Sequence, residues 1–491
     1  MTFAWSDLRV REALGLQPQK GDEELVFSGI STDSRNVVEG ELFVALSGER
    51  FDGHDFVPDA LAAGAAGAVV SRAVAMEESA RLYPVNDTLV ALGALARYRR
   101  NTLGARVVGV TGSAGKTTVK NLLAAALRDD VTVHATRGNL NNRIGLPRTI
   151  LDAPPDTQLL VLEMGTNEPG EIRVLTEIAR PEIGVISTVS ETHLEKLGSL
   201  EGVLEEKLAL LRDLPDDGFA VVGDEPAVLA EEGRRACSPG VVFRVAGWSS
   251  RADEDLRPGE PEITQRGCFR FRWKGQTVRL RIPGRHSVQN ALLALAVADL
   301  LGIDAARAVG RVESVEPSAM RSEIRTLGTL TVLVDCYNAS PQSVEAALDL
   351  LETVQELGPR VAVLGSMLEL GSRSRALHRE VLRDAVSRPL DLVVATGLFA
   401  EVAGEMDGPE DAGTELVALC DLDDVRELLT ERLEGTETVL LKASRGVAME
   451  RLVPYLEARF GASSPAADCP GADVPPGGGS AGSGGEPGEE E

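Results

Sequence analysis

The stretch VVGVTGSAGKTTVKN, Val107 to Asn121, decides how the rest of the chain reads. An apolar run ends at Thr111, glycines stand at 112 and 115, and Lys116, Thr117 and Thr118 open an amphipathic helical pattern over about 116–128. A strand, a glycine turn and a helix start, in that order, present free N–H groups and the positive end of a helix dipole to an anion. Glycines lack Cβ and let the backbone approach it closely. The common phosphate-loop pattern requires Gly, four residues, then Gly-Lys-Ser/Thr. Here that first position is Val110, with Gly109 one place early and Gly112 two places late. The stretch reads as a triphosphate loop in shifted form; the competing reading is a chance glycine turn ahead of a helix.

A nucleotide loop implies Mg²⁺, which takes hard oxygen ligands and water. Thr117 supplies a hydroxyl. Glu163 ends the strand pattern QLLVLEM (158–164), where a carboxylate at the C-terminal edge of a parallel sheet faces the crevice. On spacing alone Glu163 is equally a strand-end carboxylate facing solvent. His193 follows the next strand pattern, IGVISTV (183–189), and by itself reads as a structural loop histidine. In RGNLNNRIGLP (137–147), Asn139, Asn141 and Asn142 offer amides that converge on a ligand or merely line a loop. Lys207, in LEEKLALL, reads from the residues alone as a solvated helix lysine.

Around this centre the chain divides into a first block over 1–102, a central block over 103–317, a third block over 318–460 and a tail over 461–491. The central block alternates buried-type strands with helical patterns, which predicts a mainly parallel sheet covered by helices. A polar insertion at about 224–282 predicts antiparallel strands, and SVQNALLALAVADLLG a helix apolar on most faces. The third block repeats the alternation in LTVLVDCYN, RVAVLGSM, DLVVATG and TVLLKAS without a GxGxxG fingerprint, so a dinucleotide site there is not supported. The tail is rich in Gly, Pro, Ser and Glu and is expected to be disordered.

Composition bounds the partners. With 491 residues, two to four domains are expected. Lys and Arg number 50 against 76 Asp and Glu, a net charge of −26, which repels nucleic acid phosphates. Anionic substrates then need local devices such as glycine loops, helix N-termini and metal ions. No apolar run approaches the roughly 18–20 residues of a membrane span, so no stable membrane insertion is expected. The five cysteines are scattered without a CxxC pair, which indicates neither a disulfide framework nor a zinc site. A cytoplasmic protein follows.

Taken together, STDSR, DGHDF, VTGSAGKTT, GNLNNRIGLP, LEMGTNEPGEI, HLEKLGS, GRHSVQNAL, DCYNASPQS, LGSMLELG and LKASRGVAMERLV, spread over about 28–453, resemble the Mur ligase family. Within it they favour the type that adds D-alanyl-D-alanine to UDP-N-acetylmuramoyl-tripeptide. The resemblance implies an α/β protein of three domains: a small UDP-sugar-binding domain, a central P-loop-like ATPase and a C-terminal Rossmann-like domain. It implies ATP, two Mg²⁺ ions, an acyl-phosphate intermediate, peptidoglycan precursor synthesis and a monomer. ATP contacts fall on Thr111, Gly112, Ser113, Ala114, Gly115, Lys116, Thr117 and Thr118, with Asn290 at the base, Arg321 at a phosphate and Asp335 at the ribose. Thr117, Glu163 and His193 resemble metal ligands, and Lys207 stands where the family carries a carbamylated lysine. Lys116, Lys207 and His193 are the implied catalytic set. Ser31, Asp33, Ser34, Arg35, Asp52, Gly53 and His54 resemble uridine-diphosphate contacts, and Asn139, Asn141 and Asn142 contacts to the muramoyl-peptide. Tyr337, Asn338, Lys442, Ser444 and Arg445 lie where the family meets its peptide substrates. The family usually has Asn at Thr188 and Ser287, Asp at Ser366 and Gly at Ala443. Two other readings stand beside this one. One is a Mur-type or folylpolyglutamate-type ligase with a different amine acceptor; the other is a binding protein that has lost catalysis.

Overall fold

The computed structural model describes residues 3–18, 25–48, 51–74, 81–264, 266–354, 358–406, 413–461 and 463–464. The tail assigned to 461–491 lies outside them except for 461 and Ser463–Ser464, whose backbone forms a short strand on Thr326–Leu327. At those two residues the expected disorder gives way to sheet pairing.

Near the N-terminus four short parallel strands stand in the order Ile30–Ser31, Leu42–Val44, Gly67–Val70 and Leu82–Pro84. The helix Thr88–Thr102 leaves this unit and is anchored on the next. Arg99 donates to the Ala153 carbonyl at 2.9 Å, and Arg100 to the Ala179 carbonyl at 2.8 Å and to Glu182 at 2.7 Å.

The central sheet has six parallel strands in the order Val242–Ala246, Phe219–Gly223, Ile183–Ile186, Arg106–Thr111, Leu159–Glu163 and Val133–Ala135. Arg106–Thr111 is earliest in the chain yet lies between two later strands, so the order reverses beside it. Such a reversal opens a crevice at the C-terminal ends of the strands, where ligands bind in open α/β sheets. The strand is buried on both sides: Val107 packs into one apolar cluster, Val108 and Val110 into the other. Two helices cover the second face, Lys116–Leu127 and Arg285–Leu300. The latter buries twelve residues, including Val288, Leu292 and Leu295, because the antiparallel strands Gly259–Ile263, Phe269–Trp273 and Gln276–Arg279 cover its far side. A helix enclosed on both sides is apolar nearly all round.

The insertion at 224–282 is only partly the antiparallel unit expected. Its first half forms the helix Ala227–Ala236 and the parallel edge strand Val242–Ala246. Val241, Phe243 and Val245 join the main core, and that burial decides the pairing.

The C-terminal sheet has seven strands, ordered Glu415–Leu419, Leu392–Thr396, Arg360–Leu364, Thr438–Lys442, Leu330–Asp335, Glu323–Leu327 and Ser463–Ser464. The four apolar strands are those the sequence predicts. Glu323–Leu327 lies toward one edge with mixed polarity, and Glu415–Leu419, apolar after its first residue, is the half-exposed edge strand at the other end; neither is among the strands the sequence predicts.

Candidate active site

Strand Arg106–Thr111 delivers the loop 112–115 into the crevice, and the helix Lys116–Leu127 carries it away. Gly112 has φ +150°, and a Cβ there would stand 1.9 Å from the Ser187 hydroxyl. Gly115 has φ +80°, and a Cβ would stand 2.5 Å from Oδ1 of Asn290. Both glycines are required by conformation and by space. Asn290 thus packs against the loop itself. The Thr111 hydroxyl donates to the Met164 carbonyl at 2.8 Å, and the Ser187 hydroxyl to the Ala114 carbonyl. Ser113 Oγ accepts from the Ser190 N–H at 2.9 Å. The Lys116 ammonium rests on the Gly112 carbonyl at 2.6 Å, and desolvation holds it below the ordinary lysine range. Thr117 and Thr118 occupy the first turn of the helix, half-buried.

Glu163 ends the neighbouring strand with its side chain buried rather than facing solvent. Its Oε1 accepts from Nδ2 of Asn141 at 2.8 Å, and its N–H donates to the Thr136 hydroxyl at 3.0 Å. Its Oε2 is buried and has no hydrogen bond. Lys120, one turn beyond Lys116, donates to the Thr136 carbonyl at 2.7 Å and stops 3.9 Å from that oxygen. Neither Thr136 nor Lys120 was legible as a site residue. Lys120 looks like any helix lysine until the strand Val133–Ala135 brings Thr136 against it.

The three asparagines do not converge. Asn141 serves Glu163, the Asn142 side chain accepts from the N–H groups of Ile144 and Gly145 at 3.1 and 2.9 Å, and Asn139 is exposed.

Lys207 corrects the reading of a solvated lysine, for it is 1% exposed. Burial, with the Lys116 charge adding to it, pushes its ammonium down to about 7 from the usual 10.5. The adjacent Glu206, buried as well, accepts from the N–H groups of Gly170 at 2.6 Å and Ile172 at 2.8 Å, and so fixes the loop after Met164. No local spacing around Glu206 signals this role.

Residues of the C-terminal unit reach the crevice. His193 Nδ1 lies 2.5 Å from Oε2 of Glu369, and the Glu195 N–H donates to the Glu369 carbonyl at 3.1 Å. Asn121 on the phosphate-loop helix donates to the Ser318 hydroxyl at 3.1 Å. Arg321 lies over the Tyr337 ring at 3.9 Å; burial pushes Lys120, like Lys116, below the ordinary lysine range, and the Arg321 charge adds to the shift of both. Asp335 accepts from the Ser322 N–H at 3.0 Å and from Lys442 at 2.7 Å. Lys442 also donates to the Asn338 carbonyl at 2.8 Å, so in this arrangement it holds Asp335. Ser444 Oγ accepts from the Leu368 N–H at 3.0 Å, the Asn338 side chain accepts from the Ala339 N–H at 2.9 Å, and Arg445 pairs with Glu450 at 2.9 Å.

In the N-terminal unit the Ser31 hydroxyl donates to the Asp33 carbonyl at 3.2 Å, and the Asp33 carboxylate accepts from Arg35 Nε at 2.9 Å. Those bonds from Arg35 hold its carboxyl far below the usual range. Ser34 begins the short 3₁₀ turn between them. Asp52 accepts from the backbone N–H of His54 at 3.0 Å and lies 2.6 Å from its Nδ1, while Nε2 of this buried histidine accepts from the Ser71 N–H at 2.8 Å. A Cβ on Gly53 would lie 2.6 Å from the Leu46 carbonyl oxygen, so only glycine fits.

The four departures have local partners. Thr188 donates to the Glu225 carbonyl at 3.0 Å, Ser287 to the Pro283 carbonyl at 2.7 Å, and Ser366 Oγ accepts from the Leu398 N–H at 2.9 Å. Ala443 is fully buried, and its Cβ lies 2.9 Å from where a Cβ on Gly365 would stand.

Three family models match: the Mur ligase family catalytic domain over 26–100, the Mur ligase middle domain over 110–298, and the Mur ligase glutamate ligase domain over 320–445. The chain is 36% identical to the UDP-N-acetylmuramoyl-tripeptide–D-alanyl-D-alanine ligase of Bacillus subtilis, over 88% of this chain and 94% of the relative. A crystal structure of MurF from Acinetobacter baumannii is similar with a TM-score of 0.82 at 30% identity, covering 93% of this chain and 99% of that one. MurF ligase from Thermotoga maritima in complex with ADP is similar with a TM-score of 0.76 at 29% identity, covering 88% and 97%.

Proposed function

The chain belongs to the Mur ligase family, and we propose that it joins D-alanyl-D-alanine to the terminal carboxylate of UDP-N-acetylmuramoyl-tripeptide, using ATP, in peptidoglycan precursor synthesis. The observation that carries this is a phosphate-loop lysine beside a buried, orphaned carboxylate oxygen, in a chain that is similar along nearly its whole length to ligases of that name. The same end-to-end likeness, N-terminal unit included, favours this acceptor over the alternatives.

A carboxylate is a poor electrophile. Transfer of the γ-phosphoryl group of ATP to the tripeptide carboxylate makes an acyl phosphate and ADP. The free amine of D-Ala-D-Ala then adds to the acyl carbon, and the tetrahedral intermediate expels inorganic phosphate as the C–N bond remains. Lys116 and the N–H groups at the start of its helix are placed to stabilise phosphate charge. The Oε2 lone pairs of Glu163 and the Thr117 hydroxyl fit a hard divalent cation, since a buried carboxylate oxygen without a donor is poised for one. Magnesium bound there supplies charge neutralisation on the phosphates.

The finer assignments rest on the same reading. His193 would hold a second ion: a carboxylate on one ring nitrogen, here Glu369 on Nδ1, leaves Nε2 as the ligand atom. Lys207, pushed to about 7, has a neutral amine available near neutral pH to add CO₂ and release a proton, giving a carbamate. Asp33 and Arg35 with the Asp52–His54 turn would take the uridine diphosphate. Of the three asparagines, the exposed Asn139 would meet the muramoyl-peptide, while Asn141 acts through Glu163 and Asn142 holds the turn that precedes Gly145. Arg321 and Asp335 would contact ATP, and Tyr337, Asn338, Ser444 and Arg445 the peptides. The boundaries near 102, 317 and 460 separate the three domains. The enzyme acts as a monomer in the cytoplasm, where ATP and nucleotide-activated precursors are made.

A coupled ADP assay with UDP-N-acetylmuramoyl-tripeptide and candidate acceptors tests the function. D-Ala-D-Ala is expected to give the fastest ADP release, and Lys116→Ala to lower kcat by about 10³-fold. ADP release no faster with D-Ala-D-Ala than without it would refute the reading.

A further inference from the structure

Lys120 is the one lysine near the phosphate loop that the reaction above leaves without a task. Its side chain is 5% exposed and that of Glu163 2%, with Nζ 3.9 Å from Oε2. That separation is outside hydrogen-bond range. The ammonium is instead tethered by the Thr136 carbonyl at 2.7 Å, while Glu163 is oriented by others: Asn141 on Oε1 and the Thr136 hydroxyl on its N–H. Lys120 therefore contributes charge to Glu163 and leaves the Oε2 lone pairs open. A lysine serving only the fold would close on Oε2, which stays without a hydrogen bond.

The local charge then favours one order of binding. Lys120 is the cation placed at the open oxygen, 3.9 Å from Oε2, and both it and Lys116 feel the Glu163 carboxylate and the Arg321 charge. A dication approaching Glu163 without nucleotide must share the carboxylate with the Lys120 ammonium 3.9 Å from Oε2. Triphosphate in the loop offsets that ammonium. We propose that Lys120 is a resident counter-ion for Glu163, which keeps divalent metal from settling on that carboxylate until nucleotide phosphates are present. The effect makes metal and nucleotide binding cooperative, and by linkage each favours the other equally.

This inference rests on the ligase reading, but its test reads metal binding rather than turnover. Free Mn²⁺ is followed by electron paramagnetic resonance as it is titrated into the full chain, first without nucleotide and then with ADP. Lys120→Gln and Lys120→Met remove the charge; Lys120→Arg keeps it. Without nucleotide, the neutral variants are expected to bind Mn²⁺ about tenfold or more tightly than wild type, as removal of a unit charge a few ångströms from a dication allows. Lys120→Arg should match wild type, and ADP should narrow the gap. Neutral variants that bind Mn²⁺ no more tightly, or Lys120→Arg binding as tightly as Lys120→Gln, overturn the proposal. So does failure of both neutral variants to fold by circular dichroism, which makes Lys120 a structural residue. In each case D-Ala-D-Ala-dependent turnover by wild type would leave the ligase reading standing.

Discussion

At position 207 a lysine is fully enclosed, and its enclosure has a measurable sign. The folded chain holds the ammonium at about 7, whereas the usual value is 10.5. Between those values the unfolded lysine keeps a proton that the folded one has released, so Lys207 opposes folding fully below about pH 7 and progressively less as pH rises towards 10.5. Lys207→Met is therefore expected to raise the Tm of the ligand-free protein at pH 7, with a smaller gain at pH 10. Thermal scans in bicarbonate-free buffer check this, and a Tm change that does not depend on pH would contradict it. None of this is visible in LEEKLALL, because the helix pattern shows spacing but not what packs over each position. Gly112, Gly115 and Lys116 were legible, since strand, turn and helix follow one another directly in the chain. The roles of Thr136, Lys120 and Glu206 come from pairings between distant segments, and no local spacing encodes them.

Among the elements, the loop after Met164 shows how a helix start is fixed from outside. Glu206 on the helix Leu200–Arg212 takes the N–H groups of Gly170 and Ile172, and Oε1 also accepts from the Thr166 hydroxyl at 3.2 Å. Glu206→Gln keeps the volume but turns an acceptor into a donor facing an N–H. Leaving a buried donor unsatisfied costs about 1–3 kcal/mol. Amide exchange at Gly170 or Ile172 is expected to accelerate while the core strands stay protected, and unchanged exchange at both would contradict the role. The strands were read most reliably where they are apolar throughout, as in Leu330–Asp335 and Thr438–Lys442, which are buried on both faces. Glu323–Leu327 mixes polarity and so resembles a loop, whereas Glu415–Leu419 is a short apolar run of five residues that finds its place only as the edge strand beside Leu392–Thr396. The insertion's edge strand Val242–Ala246 was missed because its apolar residues find their core only after the parallel sheet exists.

Across the whole molecule, contacts between units far apart in sequence bridge the central and C-terminal units. His193 meets Glu369, Arg373 pairs with Glu191, and Asn121 holds Ser318. The order of motifs along the chain made three units readable, whereas these meeting points depend on how the units pack. Among the described residues, no helix is long and apolar enough to cross a membrane. The packing gathers a phosphate loop, an open carboxylate oxygen and a buried lysine at the end of one parallel sheet, an arrangement suited to activating a carboxylate through phosphate. That activation leaves an isotopic trace. UDP-N-acetylmuramoyl-tripeptide carrying ¹⁸O in its terminal carboxylate is incubated with ATP, Mg²⁺ and D-Ala-D-Ala, and the pentapeptide product and inorganic phosphate are read by mass spectrometry. One ¹⁸O per product molecule is expected in the phosphate, with both products absent when D-Ala-D-Ala is omitted. Pentapeptide formed without label in the phosphate, or no pentapeptide at all, would contradict ligation through an acyl phosphate.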